Sequence, residues 1–377
     1  MTSAPRTYLD HNASSPLRAG ARAAMIAACD AAGNPSSVHT EGRRARAIIE
    51  TAREQVAALV GAKPSELVFT SGAAAANNMV MAAGWKAISV SAIEHDSVLA
   101  PARACGTKVI ALPANEDGVV ELPAVAEALA HATAGGARVL LSVMLANNET
   151  GVVQPVAEAA ELARSLGVSL HVDAVQGPGR LPVDFAALGA DTLTLSSHKL
   201  GGPRGVGALV IRDGINLPAL IKGGGQERRR RGGTENVAGI AGFGAAAVEI
   251  AADHETMQRT AALRDRLEAG VMAATPEAII VGRNVTRIGN TSCIALPGKS
   301  AETLVIRMDM EGIAISAGAA CTSGKVGSNT VITAMGLGEA VARAAVRISL
   351  GPQTKDDDIA AFLAAWQKVA GCAALAA

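Results

Sequence analysis

A lysine and an aspartate in this chain lie in contexts that suit cofactor chemistry. Lys199 occurs in the segment SSHKLGGPRGVGAL, and Asp173 occurs one β-α unit earlier, after the apolar run in SLHVDAVQ. A lysine amine can hold an aldehyde cofactor as a Schiff base, and a buried carboxylate can pair with the pyridinium nitrogen of that cofactor. The pair is therefore what a pyridoxal phosphate enzyme needs, provided that both residues lie at strand ends.

Both residues also have ordinary explanations, which the surrounding sequence disfavours. Asp173 could be a helix N-cap, and Lys199 could be a surface lysine in a glycine-rich turn. However, matching partners for a ring oxygen, a phosphate and an aldehyde are offered by Gln176, Ser196, His198 and Lys199 itself. The glycines and the proline directly after Lys199 indicate a tight loop next to a ligand.

The region from Pro64 to Arg212 alternates short apolar runs with helical patterns, which is typical of a largely parallel sheet covered by helices. Seven runs are predicted strands: ELVFT, AISVS, KVIALP, RVLLSV, SLHVD, DTLTLS and GALVI. Five of them are followed by the polar segments SGAAAANN, EHDS, NNETG, DAVQ and SSHK. Because ligands bind beyond the carboxyl ends of the strands in open α/β sheets, we expect these segments to form one site.

Two of these segments have a more specific use. Ser71 and Gly72 open a predicted helix, so free backbone N–H groups and the positive end of the helix dipole could hold a phosphate. His95, in EHDS, is placed to stack on a flat ring, although a lone loop histidine is more often an ordinary surface residue.

The length of 377 residues predicts one large and one smaller domain. An Ala-rich helical stretch from about Val237 to Met272 is expected to contain the boundary, which gives a large cofactor-binding domain over 15–258 and a small domain formed by 1–14 and 259–377. The helix RRARAIIETAREQVAALVG is expected to end near Gly61, and PVAEAAELARSLG is expected to stop at Gly167.

The composition excludes several classes of protein. Thirty-four basic and 34 acidic residues give a formal charge of zero, so there is no electrostatic reason to expect nucleic acid or a membrane surface as a partner. Five cysteines without a C-x-x-C pair, and an N-terminus without an apolar segment, predict a cytoplasmic protein with no disulfide framework and no metal-ligand set.

The motifs together resemble the pyridoxal phosphate-dependent cysteine desulfurases of the nitrogen-fixation and iron-sulfur cluster type, in the class V aminotransferase group of fold type I enzymes. The resemblance runs essentially end to end, through YLDHNASSPL, GNPSSVHTEGRRAR, the strand-end segments, GGGQERRRRGGTENV, ISAGAACTSGK and VRISLG. It implies an α/β fold with a mainly parallel seven-stranded sheet, helices on both faces, and a smaller α+β domain.

The resemblance implies a cofactor set. Lys199 matches the Schiff-base lysine, Asp173 the pyridinium partner and Gln176 the group that bonds the ring hydroxyl. The ring would stack on His95, which has a catalytic role, and would contact Asn148. The matched phosphate site comprises Ala73, Ala74, Ser196, His198 and, from the second subunit of a homodimer, Thr234.

It also implies a substrate site and a nucleophile. Arg347 matches the arginine that clamps the substrate carboxylate, which suits a bidentate guanidinium, and Asn34 would assist. Cys321 matches the nucleophile, in a Gly, Ala and Ser-rich segment that can keep a thiol accessible. The other cysteines are expected to be small buried hydrophobic residues: Cys29, Cys105, Cys293 and Cys372.

The chain departs from the family pattern at two places. Where the family usually has Thr-Glu in the helix-opening phosphate loop, this chain has Ala74 and Ala75, and a lost hydroxyl costs about 1.5 to 3 kcal/mol of binding to a charged group. We therefore expect weaker cofactor binding but intact chemistry. The additional arginines, Arg229 and Arg230, could draw in phosphate, although a solvated loop is the simpler interpretation.

The predicted activity is the conversion of L-cysteine to L-alanine with a persulfide on Cys321, for transfer to an acceptor such as an iron-sulfur scaffold protein. Two alternatives stay open: a selenocysteine lyase or aminotransferase of the same fold, and an inactive scaffold that only docks sulfur-transfer partners. The requirement for Cys321 separates the first from a desulfurase, and the presence of both Lys199 and Asp173 disfavours the second.

Overall fold

The computed structural model describes residues 6–133, 138–253, 255–318 and 328–371. Its strands, in chain order, are β1 Thr7–Tyr8, β2 Leu67–Thr70, β3 Ala87–Ser91, β4 Lys108–Leu112, β5 Val139–Ser142, β6 Ser169–Asp173, β7 Thr192–Ser196, β8 Gly207–Ile211, β9 Ile279–Ile280, β10 Thr291–Ala295, β11 Ile313–Ala314 and β12 Ala345–Ser349.

In the same ranges, one or two helices separate each strand from the next as far as β7. In chain order the helices are α1 Ala19–Cys29, α2 Thr40–Leu59, α3 Ala73–Met81, α4 Asp96–Ala104, α5 Leu122–Ala132, α6 Val156–Ser165, α7 Phe185–Leu188, α8 Val237–Ala251, α9 Glu255–Ala274, α10 Ala301–Met310, α11 Thr330–Ala334, α12 Glu339–Ala344 and α13 Asp356–Ala370.

The central sheet has seven strands in the order β2-β8-β7-β6-β5-β3-β4. Strand β8 runs antiparallel to both of its neighbours, and the other pairs are parallel. All seven predicted strands are confirmed, as is the mainly parallel α/β fold. The apolar runs form strands because their side chains are buried between helix layers on the two faces of the sheet.

A second, smaller sheet has the antiparallel order β12-β10-β9. Its core includes Trp366 and Phe362 of α13 together with Leu9 from the N-terminal segment. Strand β1 pairs in parallel with β11, so the first described residues belong to the same layer as the C-terminal third of the chain. This layer agrees with the expected small α+β unit, while the residue limits of the two domains stay a prediction.

Two predicted helix ends agree with the structure and one helical stretch is corrected. Gly61 and Gly167 follow α2 and α6 with φ of 62° and 66°, conformations that glycine adopts without a steric penalty. The stretch predicted from Val237 to Met272 is two helices, because the backbone leaves the helix at Ala252 and Asp253. The Asp253 carboxylate accepts hydrogen bonds from the backbone N–H and hydroxyl of Thr256, an N-cap interaction.

No helix within the described ranges is both long enough and apolar enough to cross a membrane. The expectation for the cysteines is only partly right: Cys293 is buried, but Cys29 and Cys105 are exposed free thiols. Cys29 is the last residue of α1 and Cys105 is the C-cap of α4, so both thiols lie at helix ends. Cys372 lies outside the described residues.

Candidate active site

Asp173 is the last residue of β6 and is almost fully buried, with 5% of its surface exposed. Its Oδ2 accepts a hydrogen bond of 2.8 Å from Asn77 Nδ2, and its Oδ1 accepts one of 3.0 Å from the backbone N–H of Val175. A buried carboxylate needs such donors, because an unpartnered charge in the interior is costly. The side chain is therefore held in place at the carboxyl edge of the sheet.

Lys199 ends the short 3-10 turn that follows β7. Its Nζ donates to the backbone carbonyls of Asn12 and Ala13, the latter at 3.1 Å. Burial, followed by the nearby cations Arg180 and Arg347, lowers the pKa of this amine to about 8. An amine of that pKa is neutral in a substantial fraction of molecules near physiological pH, as a nucleophile or base must be.

Asn12 connects Lys199 to the rest of the site, and sequence reasoning did not identify it. Its backbone carbonyl also accepts from Gln176 Nε2 at 3.2 Å, while its side chain donates to the Asn148 carbonyl and to Thr291 Oγ1. Asn12 lies in the quoted motif YLDHNASSPL, so the motif carried a signal that was not assigned to this residue. The N-terminal segment thus joins Lys199 to β10 of the small sheet.

The start of α3 is a helix N-terminus without a side-chain cap. Its N-cap, Gly72, has φ of 145° with no atom within 4 Å of the position where a Cβ would lie. Ser196 is buried at the end of β7, and the buried Ser197 Oγ has no hydrogen-bond partner. The first-turn N–H groups of α3 are the kind of donors that an anion uses at a helix N-terminus, and the Ser196 and Ser197 hydroxyls are further donors at the end of β7.

His198 stands beside these hydroxyls as an uncharged group. Its Nδ1 lies 3.4 Å from Ser14 Oγ, and burial, with smaller effects from Lys199, Arg204 and Arg180, lowers its pKa to about 4. At neutral pH the imidazole is therefore uncharged, and any bond that it makes to an anion is a hydrogen bond without a positive charge.

Arg347, on β12, lies in a buried ion cluster. Its Nη1 donates to Glu149 Oε1 at 2.7 Å and to the Asn148 carbonyl at 3.2 Å, and its Nη2 donates to Asp10 Oδ1 at 2.9 Å. Its Nε is buried without a partner. The guanidinium is therefore fixed by two carboxylates. Its unused donor, Nε, lies on the same edge as Nη2, and this edge of a guanidinium can bind a carboxylate with two parallel hydrogen bonds.

The remaining predicted residues divide into three groups. His95 and Asn148 follow the central strands β3 and β5, at the same edge of the sheet as Asp173. Asn34 and Thr234 are exposed, and the Asn34 side chain accepts from the backbone N–H of Ser36, so no described hydrogen bond joins it to Arg347. Cys321 lies outside the described residues.

Two arginines of the segment from Arg228 to Arg231 donate to backbone carbonyls. Arg228 Nη1 donates to the carbonyls of Pro64 and Ser65, and Arg231 Nη1 donates to the Gly233 carbonyl. Arg228 and Arg229 have φ of 55° and 63°, in the left-handed region that costs a residue with a Cβ about 1 kcal/mol or more. These contacts hold Arg228 and Arg231 against neighbouring backbone, and no described bond connects them to the start of α3.

Comparisons with known proteins now add to this geometry. The family model described as aminotransferase class-V matches residues 7–362. A cysteine desulfurase of Sinorhizobium fredii is 42% identical over 93% of both chains. The chain belongs to the cysteine desulfurases of the class V aminotransferase family.

Other cysteine desulfurases and their structures agree. An IscS-like cysteine desulfurase of Mycobacterium tuberculosis is 39% identical over 94% of both chains. The structure of a NifS-like protein from Rickettsia africae superimposes with a TM-score of 0.90 at 35% identity, covering 97% of this chain and all of that one. The fold is thus that of the fold type I enzymes, and the cofactor of this family of desulfurases is pyridoxal phosphate.

The residues present fit this cofactor. Gln176 Oε1, Asn148 Oδ1 and Ser197 Oγ are buried without hydrogen-bond partners, although buried polar atoms are normally satisfied. The uncapped start of α3 offers donors to a phosphate, Asp173 offers a buried carboxylate to a pyridinium nitrogen, and Lys199 offers an amine of lowered pKa. A polar, aromatic aldehyde phosphate would satisfy all of these groups together.

Proposed function

We propose that this protein removes the sulfur atom of L-cysteine, leaving L-alanine, and that the thiol of Cys321 receives the sulfur as a persulfide. The observation that carries the proposal is the pairing of the Lys199 amine, of lowered pKa, with the buried Asp173 carboxylate in a chain that matches cysteine desulfurases over 93% of its length. The role of Cys321 rests on its motif, SAGAACTSGK.

The binding step uses Arg347 and the groups that orient it. The guanidinium would bind the carboxylate of L-cysteine, with the unpartnered Nε as one of its donors. Glu149 and Asp10 hold the guanidinium in one orientation, so the substrate carboxylate finds a preformed donor. Asn148, whose Oδ1 is unpartnered, lies beside it and would contact the ring or the substrate.

The proton steps use Lys199 and Asp173. Bound pyridoxal phosphate supplies an electron sink for the electron pair of the Cα–H bond. The neutral Nζ of Lys199 accepts the α-proton, and its pKa of about 8 suits it to both taking up and returning a proton. The Asp173 carboxylate, fixed by Asn77 and the Val175 amide, holds a proton on the ring nitrogen.

The sulfur transfer is balanced without any added oxidant. The Cys321 thiolate forms an S–S bond with the substrate sulfur as the Cβ–S bond breaks. The electron pair of the broken Cβ–S bond stays with Cβ, the carbon that becomes the alanine methyl group. That carbon gains a proton, so L-cysteine and a thiol give L-alanine and a persulfide. A thiol reductant or an acceptor protein then removes the outer sulfur.

The wider setting is part of the same proposal. We place the enzyme in the cytoplasm. We also propose a homodimer, because Thr234, the phosphate ligand expected from the second subunit, is exposed in a single chain. The acceptor would be a protein such as an iron-sulfur scaffold. The cofactor-binding domain would cover residues 15–258, and the small domain would carry the Cys321 segment.

The test measures alanine and sulfide released from L-cysteine with a thiol reductant, by wild type and by Cys321→Ala, with Cys105→Ala as a matched control. Equal amounts of both products from the wild type and the control, and neither from Cys321→Ala, support the proposal. Full release of both products by Cys321→Ala would show that Cys321 is not the nucleophile. No release from a wild type that has the cofactor absorption band would favour an aminotransferase or a selenocysteine lyase. A purified protein without the cofactor absorption band would favour an inactive docking scaffold.

A further inference from the structure

The imidazole of His95 is held by one residue, Ser97, at the start of α4. His95 Nδ1 lies 3.0 Å from the backbone nitrogen of Ser97, which donates to it, and 2.9 Å from the Ser97 hydroxyl. A backbone N–H can only donate, so Nδ1 is the acceptor nitrogen of the ring. The ring hydrogen is therefore on Nε2, on the edge that faces away from the first turn of α4.

The Ser97 hydroxyl takes its direction from Asn77. Asn77 Nδ2 donates to Ser97 Oγ at 2.9 Å and to Asp173 Oδ2 at 2.8 Å, so its two amide hydrogens go to different partners. The reverse orientation would put the amide oxygen against the Asp173 carboxylate. Ser97 Oγ accepts from Asn77, and the acceptor described for its own hydrogen is His95 Nδ1.

A buried histidine fixes Asn77 from the opposite side. His171 Nε2 lies 3.1 Å from Asn77 Oδ1, and His171 Nδ1 lies 2.8 Å from Thr192 Oγ1. Burial lowers the pKa of His171 to about 4, so at neutral pH it is a neutral imidazole with one hydrogen. That hydrogen is on Nε2, because an amide oxygen only accepts, and Thr192 donates to Nδ1.

The donors run in one direction, from Thr192 through His171 to Asn77, and from Asn77 to both Asp173 and Ser97. We propose that Asn77 and Ser97 are positioning residues of the desulfurase reaction, which keep the ring hydrogen of His95 on Nε2 and tie its orientation to that of Asp173. His95 then carries its N–H donor in the plane of the ring, where it would be available to a substrate group at the ring edge and not to the face on which the ring stacks. The role in turnover rests on the proposed function. The position of the ring hydrogen on Nε2 does not depend on that function.

A simply structural role for this network predicts something different. His95 is the N-cap of α4, and its ring accepts the backbone N–H of residue 97 whatever side chain stands there. If this cap alone fixed the ring, Ser97→Ala would leave the tautomer of His95 and the turnover number unchanged. If Ser97 positions His95, its loss changes the tautomer equilibrium and the turnover number while the affinity for L-cysteine, which depends on Arg347, is kept.

The experiment records the 15N resonances of the His95 ring in holoenzyme labelled at histidine, with His95→Gln for assignment. We expect the Nε2–H form to predominate in the wild type, and Ser97→Ala to shift the tautomer ratio about fivefold toward Nδ1–H, the effect of one neutral hydrogen bond. We expect kcat to fall about fivefold in Ser97→Ala, with KM within twofold. Ser97→Thr, which keeps the hydroxyl, restores both properties, and Ser165→Ala changes neither.

A second variant tests the shared amide. Asn77→Ala removes the donor to Ser97 Oγ and to Asp173 together, and we expect it to shift the same tautomer ratio without any change at Ser97 itself. An unchanged tautomer in both Ser97→Ala and Asn77→Ala, in protein that still releases alanine, would overturn the inference. Absence of alanine release from the wild type would instead overturn the proposed function and leave the tautomer result standing.

Discussion

The amine of Lys199 donates to the backbone carbonyl of Asn12, a residue 187 positions earlier in the chain. Asn12 also bonds to Thr291 of the small sheet and to the Asn148 carbonyl. The amine to which we assign the proton chemistry is therefore held by the N-terminal segment, whose strand β1 belongs to the small layer. The position of the small layer and the position of the amine are thus linked.

Arg180 is expected to keep the Lys199 amine partly neutral. Its Nη2 donates to the backbone carbonyl of Lys199, and its charge is the second cause, after burial, of the lowered pKa. Uptake of pyridoxal phosphate by cofactor-free protein should depend on the neutral amine and show an inflection near pH 8. Arg180→Gln should move the inflection upward, toward the ordinary lysine value of 10.5, in stopped-flow absorbance measurements.

Arg18→Gln is the matched control for that measurement. Arg18 Nε donates to the carbonyl of Leu200, next to Lys199, but its guanidinium forms ion pairs with Glu249 and Asp253 and is not a cause of the Lys199 shift. Equal inflections in wild type, Arg18→Gln and Arg180→Gln would show that Arg180 has no such effect.

Arg347→Lys should weaken the binding of L-cysteine. Lysine keeps the positive charge but loses the planar fork, so one of two hydrogen bonds to the substrate carboxylate disappears. We expect KM to rise by about tenfold or more, the size of one charge-assisted hydrogen bond of about 1.5 kcal/mol. Steady-state assays of alanine release measure it. Arg287→Lys alters a similarly buried pair with Glu268 elsewhere, and a KM increase of the same size there would contradict a binding role.

Glu94→Gln should stabilise the protein as the pH rises. Burial, and then the Asp173 charge, raise the pKa of the Glu94 carboxyl well above its ordinary value, and its Oε2 has no hydrogen-bond partner. An acid whose pKa is raised by folding favours the folded state at low pH, and this contribution is lost as pH rises above the unfolded value of about 4.5. Glutamine does not titrate, so the stability difference between variant and wild type should grow from pH 5 to pH 8.

Urea unfolding at the two pH values provides the measurement. Glu66→Gln is the control, because both oxygens of that buried carboxylate accept backbone N–H groups, from Lys63 and Asp213, and the amide NH2 of glutamine cannot accept either bond. We expect the control to lose stability at pH 8. A Glu94→Gln variant that is no more stable than the wild type at pH 8 would be evidence against a protonated Glu94.

Ala74→Thr should tighten the binding of pyridoxal phosphate. Ala74 lies in the uncapped first turn of α3, where a hydroxyl would add one hydrogen bond to the phosphate. We expect the dissociation constant to fall about tenfold, corresponding to about 1.5 kcal/mol, in equilibrium titrations of cofactor-free protein. Ala74→Val has the same shape without the hydroxyl. If the valine variant binds as tightly as the threonine variant, the hydroxyl is not the cause.

The sequence by itself determined the sheet and the family of chemistry. Seven apolar runs became the seven central strands, six of them largely buried and β4 a partly exposed edge strand. The polar residues after them meet at one edge because parallel strands end there. Asp173 at the end of β6 and Lys199 after β7 follow from this rule alone.

Only the tertiary structure decided which groups orient these residues. Asn77 reaches Asp173 across 96 positions, and Arg347 reaches Asp10 across 337, separations over which local patterns carry no information about contact. The sequence also did not reveal the break at Asp253, because alanine-rich residues on both sides favour helix. The break depends on one carboxylate, that of Asp253, which accepts from Thr256 at the start of α9. Residue types and spacing reveal the reactive groups, whereas their donors and acceptors are set by packing between distant segments.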